Sequence, residues 1–302
     1  MTYSIVARDA VSGRFGVAIQ TCWPFVGAGC PWVESGVGAV TTQSFSEVAH
    51  GPNGLALLRD GVAPAEALRR LLDPDPGREV RQVGLVDRHG RSASFTGGRC
   101  VEAAGHVTDD GVAIQANMME RPTVWPAMLA AWDAASGSFV DRLLASLRAA
   151  EKEGGDLRGR QSAVVLVSGT PDEPAWKRQW DVRVDDHPAP LDELERLVRL
   201  QLGFDALDRA EELATAGDLD GARAASEAAL ALTEGDRQVM AWEAIGLARA
   251  GQLTAGRAML REASAGNPRW PEFVRRFAES GAQPELVDAA RALLGGSADA
   301  ED

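Results

Sequence analysis

Two periodicities divide this chain. Up to about residue 185, short apolar runs alternate with Gly-rich turns, the spacing of β-strands broken by a few helical stretches. Residues 3–7 (YSIVA) and 15–21 (FGVAIQT) flank the turn DAVSG, which predicts an antiparallel hairpin. A third strand is expected over 36–43 (GVGAVTTQ), with Gly where chains must approach closely. The period then lengthens to that of helices over 54–60 and 63–72, and Pro64 suits a helix start. Residues 80–87 and 92–96 flank the turn RHGR, a second hairpin, and 111–117 (GVAIQAN) is again a strand. Helices follow over 123–135 and 139–152, then strands over 162–168 and 180–184. Antiparallel strands with helices in segregated pairs predict two layered sheets with helices outside.

Beyond the polar, Pro-rich linker 185–190 (DDHPAP) nothing reads as strand. The pattern becomes Ala-, Leu-, Glu- and Arg-rich at helical spacing, and it repeats. Residues 216–219 (AGDL) recur as 250–253 (AGQL), 34 positions on; at the same offset Ala222 matches Gly256 and Ala229 matches Ala263. Small residues there let two helices pack closely, and Asn267-Pro268 closes the second unit. A period of 34 with this Gly and Ala placement resembles the tetratricopeptide repeat. The expected organisation is thus a mixed domain over 1–186 and a helical-repeat domain over 191–302, the latter serving protein–protein or homo-oligomer contacts.

Composition narrows the function. The 302 residues carry a formal net charge of -13, which argues against nucleic acid and against an anionic membrane surface as partners. There is no basic-then-apolar leader and no apolar run long enough to span a bilayer, so the chain reads as cytoplasmic. Three cysteines cannot all pair internally, in keeping with a reducing compartment. The spacing of Cys100 and His106, with Asp109 and Asp110 beyond, matches no structural zinc pattern, so no metal is expected, and nothing indicates a cofactor. Nucleophile-elbow, phosphate-loop and zincin motifs are absent.

Several segments together resemble one family: residues 2–9 (TYSIVARD), 36–43, 75–83 (DPGREVRQV), 115–119 (QANMM) and 155–162 (GDLRGRQS). They are similar to the family of unknown function DUF1028, grouped by fold with the N-terminal-nucleophile hydrolases. The resemblance covers about residues 2–190. It implies an α+β fold, a four-layer αββα sandwich, followed in many members by a helical segment that has been labelled peptidoglycan-binding; the 34-residue repeat accounts better for the residues here. It implies no substrate, since fold alone assigns none.

The resemblance also implies a nucleophile. In N-terminal-nucleophile hydrolases the first residue of the mature chain supplies the hydroxyl, and its α-amine, with a reference pKa of about 7.7–8.0, acts as base. Thr2 fits once Met1 is removed; otherwise it is a β-branched residue opening a strand. For an oxyanion hole, Asn117 and Gln43 at strand ends are the candidate donors, or else residues closing turns. Arg160 and Arg158, in the loop leading to a buried strand, suit a substrate carboxylate or solvated salt bridges. Trp23 and Trp32 in CWPFVGAGCPW suit an apolar wall at a pocket mouth, though most Trp residues should be core. His50 suits a substrate contact or a helix entry. Two functions remain open: an amide hydrolase acting on a small amide or acyl-amino compound through Thr2, and a binding or scaffold protein working through the repeats.

Overall fold

The computed structural model describes residues 2–295. The chain forms two compact units that meet between Arg196 and Leu197. The first holds β1 (Thr2–Arg8), β2 (Phe15–Thr21), β3 (Pro31–Glu34), β4 (Gly38–Ser44), α1 (His50–Arg59), α2 (Pro64–Leu72), β5 (Arg81–Asp87), β6 (Ser92–Thr96), β7 (Gly105–Asp109), β8 (Val112–Asn117), α3 (Val124–Ala134), α4 (Phe139–Lys152), β9 (Ser162–Ser168) and β10 (Arg178–Val184). All strand pairs described are antiparallel. One sheet has the order β10-β9-β2-β1-β8-β7 and the other β3-β4-β5-β6. α3 and α4 pack on the first sheet, α1 and α2 on the second, and the two sheets pack on each other.

β3 and β7 have no counterpart among the elements read from sequence. β3 is four residues long and opens with a proline; β7 (GHVTD) is an edge strand, polar and half exposed. Neither carries the apolar alternation that sequence reading relies on. α2 begins at Pro64 as expected, its missing N–H costing nothing at a helix start.

Side chains alternate across each strand, so the face of β1 that carries Thr2, Ser4 and Val6 looks toward the second sheet. The space between the sheets is therefore of two kinds. At one end it is apolar: Val6, Phe15, Val17, Ile19, Ala39, Val86, Val164 and Leu166 interdigitate. At the other end it is polar, with Thr2, Ser4, Thr21, Thr41, Gln43, Gln82, Gln115 and Asn117 all buried. Gly84 on β5 is what admits the Gln115 amide, since a Cβ there would fall 2.1 Å from its nitrogen.

α5 (Pro190–Thr215) runs through the unit boundary. The second unit continues with α6 (Leu219–Leu232), α7 (Arg237–Arg249), α8 (Leu253–Ser264), α9 (Trp270–Ser280) and α10 (Pro284–Leu294). The 34-residue period is visible in the turns. α5 ends at Thr215 and α6 starts at Leu219; α7 ends at Arg249 and α8 starts at Leu253. Gly217 and Gly251 occupy the left-handed region at φ 86° and 78°, a conformation that costs glycine little. Gly256 brings α8 against α7: a Cβ there would meet the Ala244 carbonyl oxygen at 2.7 Å. No helix among the described residues is long and apolar enough to cross a membrane.

Candidate active site

Thr2 opens the central strand of the six-stranded sheet, between β2 and β8, opposite Thr21 on one side and Asn117 on the other. Its hydroxyl donates to the Thr21 hydroxyl at 3.1 Å, and that oxygen also accepts the Trp23 N–H at 3.3 Å. The Thr2 carbonyl is clamped by two amides, Gln43 Nε2 at 3.2 Å and Asn117 Nδ2 at 3.3 Å. Both nitrogens also donate to Gln82 Oε1, at 2.7 and 2.9 Å. Gln82 is itself fixed, its own Nε2 donating to the Ala116 carbonyl at 2.9 Å and the Gly105 carbonyl at 3.1 Å. The two hydrogens of each clamping amide are thus spent on Thr2 and Gln82, and neither is free for an oxyanion. The sequence points to Gln43 and Asn117 but gives little sign of Gln82, whose oxygen joins their amides.

Asp156 holds the residue that follows Thr21. Its carboxylate accepts the Cys22 N–H at 3.1 Å and the Arg158 N–H at 2.9 Å, and burial pushes its pKa up. It ties the loop carrying Leu157 and Arg158 to the turn after Thr21. Burial, with Asp156 beside it, raises the Cys22 thiol as well.

Backbone strain marks the same place. In the first unit, the described non-glycine residues with positive φ are Phe25 (61°), Ser44 (69°), Ala103 (33°) and Met118 (59°). All four lie on segments at the end of the sheets where Thr2 sits: Phe25 after β2, Ser44 closing β4, Ala103 between β6 and β7, and Met118 directly after Asn117. Such conformations cost of order 1–3 kcal/mol each and collect at functional sites.

The other candidates separate. Trp23 stands at this end, 68% exposed. Trp32 lies on the far face of the second sheet: its Nε1–H bonds the Gly29 carbonyl at 3.0 Å, and its indole covers Gly51 in α1. Arg160 pairs with Glu151 of α4 at 3.2 Å, and Glu151 also accepts the Tyr3 hydroxyl at 2.6 Å, on the helix side of the first sheet. Arg158 approaches Asp156 at 3.6 Å. Cys100 Sγ donates to the Arg81 carbonyl, while His106 Nδ1 meets Thr96 Oγ1, so the two hold separate partners.

His50 begins α1, and its Nε2 lies 2.9 Å from Asp75 Oδ2. Asp75 also accepts from Arg81 Nε at 2.8 Å and the Gly77 N–H at 2.7 Å. The pair borders a groove of about 560 Å³ between α1 and α2, whose walls include Glu47, Asn53 and Arg70 but not Thr2. The Arg81 hydrogen bond, aided by the Gly77 N–H and His50, holds the Asp75 carboxyl well below the usual carboxylate range. A depressed folded-state pKa stabilises fully above the unfolded value near 3.9, and the gain is lost as pH falls through the acid range toward the folded value. Asp75→Asn should therefore cost about 1–3 kcal/mol at pH 7 in urea unfolding, with the gap to wild type closing below about pH 4. A gap independent of pH would refute the charge argument.

This arrangement, two antiparallel sheets face to face with helices outside and a buried polar cluster at the start of the central strand, defines a mixed α/β protein. The chain belongs to the family of unknown function DUF1028, whose sequence profile matches residues 2–194. It is similar to the crystal structure of protein SPO2555 from Silicibacter pomeroyi, assigned to the same family, at 34% identity over 66% of this chain and 88% of that one, with a TM-score of 0.60. A second similar structure is Anbu, the ancestral beta-subunit, from Yersinia bercovieri, at 12% identity and a TM-score of 0.32 over 64% of this chain and 90% of that one. No curated protein matches.

Proposed function

We propose that the first unit is an N-terminal-nucleophile amide hydrolase with Thr2 as nucleophile. In a chain whose first residue is Thr2, the hydroxyl oxygen attacks the amide carbonyl carbon and its proton passes to the free α-amine. The C–N bond breaks as the amine returns that proton to the leaving nitrogen, and water then hydrolyses the ester on Thr2, releasing the acid. The observation that carries this reading is convergence: the Thr2–Thr21 hydroxyl pair, the Gln43–Asn117 clamp and the four strained residues meet at one sheet end. Gln43 and Asn117 act here as positioning residues that fix the Thr2 backbone, not as oxyanion donors. The test is intact-mass spectrometry with a β-lactone. A single adduct on a chain beginning at Thr2 supports the reading, and the absence of any adduct on such a chain overturns it.

A second reading concerns the second unit. The matching turns at Gly217 and Gly251 and the α7–α8 approach at Gly256 support two tetratricopeptide-like hairpins, a scaffold for a protein partner or a second copy. Comparing the mass of the full chain in solution with that of a chain lacking residues 191–302 tests the second-copy form. Self-association that survives the deletion counts against it.

A further inference from the structure

The large apolar side chains that the first unit leaves exposed are not scattered. Trp23, Phe25, Phe45, Val48, Val101 and Leu157 all lie on loops leaving the Thr2 end of the sheets. Trp23 and Phe25 follow β2, Phe45 and Val48 follow β4, Val101 lies between β6 and β7, and Leu157 precedes β9. Hydrogen bonds tie these loops to the site. The Trp23 N–H bonds the Thr21 hydroxyl, the Met118 N–H bonds the Val101 carbonyl at 3.3 Å, and the Leu157 N–H bonds the Met118 carbonyl at 3.4 Å. Val11 and Trp176, the remaining exposed members in this unit, sit on loops at the opposite end.

Inside this rim the chemistry inverts. The interior behind Thr2 is lined by amides and hydroxyls, and Asn117 Oδ1, Gln43 Oε1 and Thr41 Oγ1 are buried there without a hydrogen-bond partner among the described residues. A polar interior behind an apolar rim matches a ligand with a polar reacting head and an apolar body. An apolar surface of this kind marks a binding site more often than chance.

We infer that the compound taken at Thr2 is an amide whose acyl group is apolar and lies on this rim. The inference rests on the proposed nucleophile and adds the substrate class. The apolar part is placed on the acyl side because that fragment stays bonded to Thr2 after the amine leaves. The ester bond holds it there while water attacks, and contact with the rim fixes its position for that step.

The test uses the whole chain from Thr2 onward, its first residue confirmed as Thr2 by intact mass, and a series of β-lactones that differ only in the length of an alkyl substituent, from methyl to hexyl. Thr2 Oγ1 bonds to the lactone carbonyl carbon, the ring C–O bond opens, and the hydroxyl proton ends on the released alkoxide, so the mass rises by that of the whole lactone. The expected result is a labelling rate on Thr2 that climbs about fourfold per added methylene before levelling off, the ratio that burial of one CH₂ yields. Trp23→Ser and Phe45→Ser, both at exposed positions, should flatten that climb while circular dichroism stays unchanged. Labelling of Thr2 at one rate for every length overturns the acyl-group inference and leaves the nucleophile standing. Absence of labelling at any length overturns both. A rim that instead joins two copies would show as a dimer in light scattering that Trp23→Ser dissolves with no change in length dependence, and this outcome too overturns the inference.

Discussion

Thr2→Ala should lose all covalent labelling and all amide turnover while keeping its fold. The side chain removed is small, and the hydrogen bond it loses is one hydroxyl-to-hydroxyl contact at 3.1 Å. Such a bond is worth about 0.5–1.5 kcal/mol net, and Thr21 retains the Trp23 N–H as a partner. The clamp on the Thr2 carbonyl acts on the backbone and is untouched by the substitution. Stability should therefore fall by about 1 kcal/mol, while the rate falls to background because the bond-forming atom is gone. Thr2→Ser, which keeps the hydroxyl, should retain measurable labelling. Undiminished turnover in Thr2→Ala would move the chemistry elsewhere, and the His50–Asp75 groove would be the next place to look.

The largest stability effect is expected at Gln82. Its oxygen accepts from both Gln43 and Asn117, and its nitrogen donates to two backbone carbonyls and to Thr96 at 2.9 Å. The residue is fully buried between the sheets. Gln82→Met keeps the volume but removes every one of these partners. Two amide hydrogens and at least one carbonyl are left buried and unpaired, at about 1–3 kcal/mol each. A loss of about 3–5 kcal/mol follows, which for a unit of this size lowers Tm by roughly 6–20 °C. Thermal unfolding followed by near-ultraviolet circular dichroism checks it, and a shift of under 3 °C would mean the network adds little. Labelling at Thr2 should also weaken, since the clamp on its carbonyl loses its anchor.

Strand and helix order was largely legible because most elements bury one face and so keep a clean period. The hairpin of β1 and β2, the helix starting at Pro64 and the 34-residue turn equivalence all follow from local pattern and turn chemistry. β3 and β7 were not legible, being short or polar, and they are held by neighbours distant in sequence. The site was half legible. Asn117 and Gln43 stand out as polar ends of apolar strands, but their joint hold on Thr2 needs β4, β8 and β5 brought together, which no spacing encodes. Gln82 sits in the strand RQVGLVD, whose single interior amide was the available signal. Asp156 and Thr21 were hidden for the same reason: one closes a loop, the other ends a strand, and only the fold makes them neighbours. Trp32 and His50 were drawn to the site by composition, yet β3 and α1 carry them to the other face of the second sheet.

The four left-handed residues around Thr2 bear on how this protein would respond to selection. Glycine at Ser44, Ala103 or Met118 would relax a conformation that side chains resist, so each is a place where heat resistance can be gained cheaply. A laboratory lineage bred only to survive heating would be drawn to these positions early. It would then loosen the loops around Thr2, and under the proposed hydrolase reading the sturdier descendants would be the poorer catalysts.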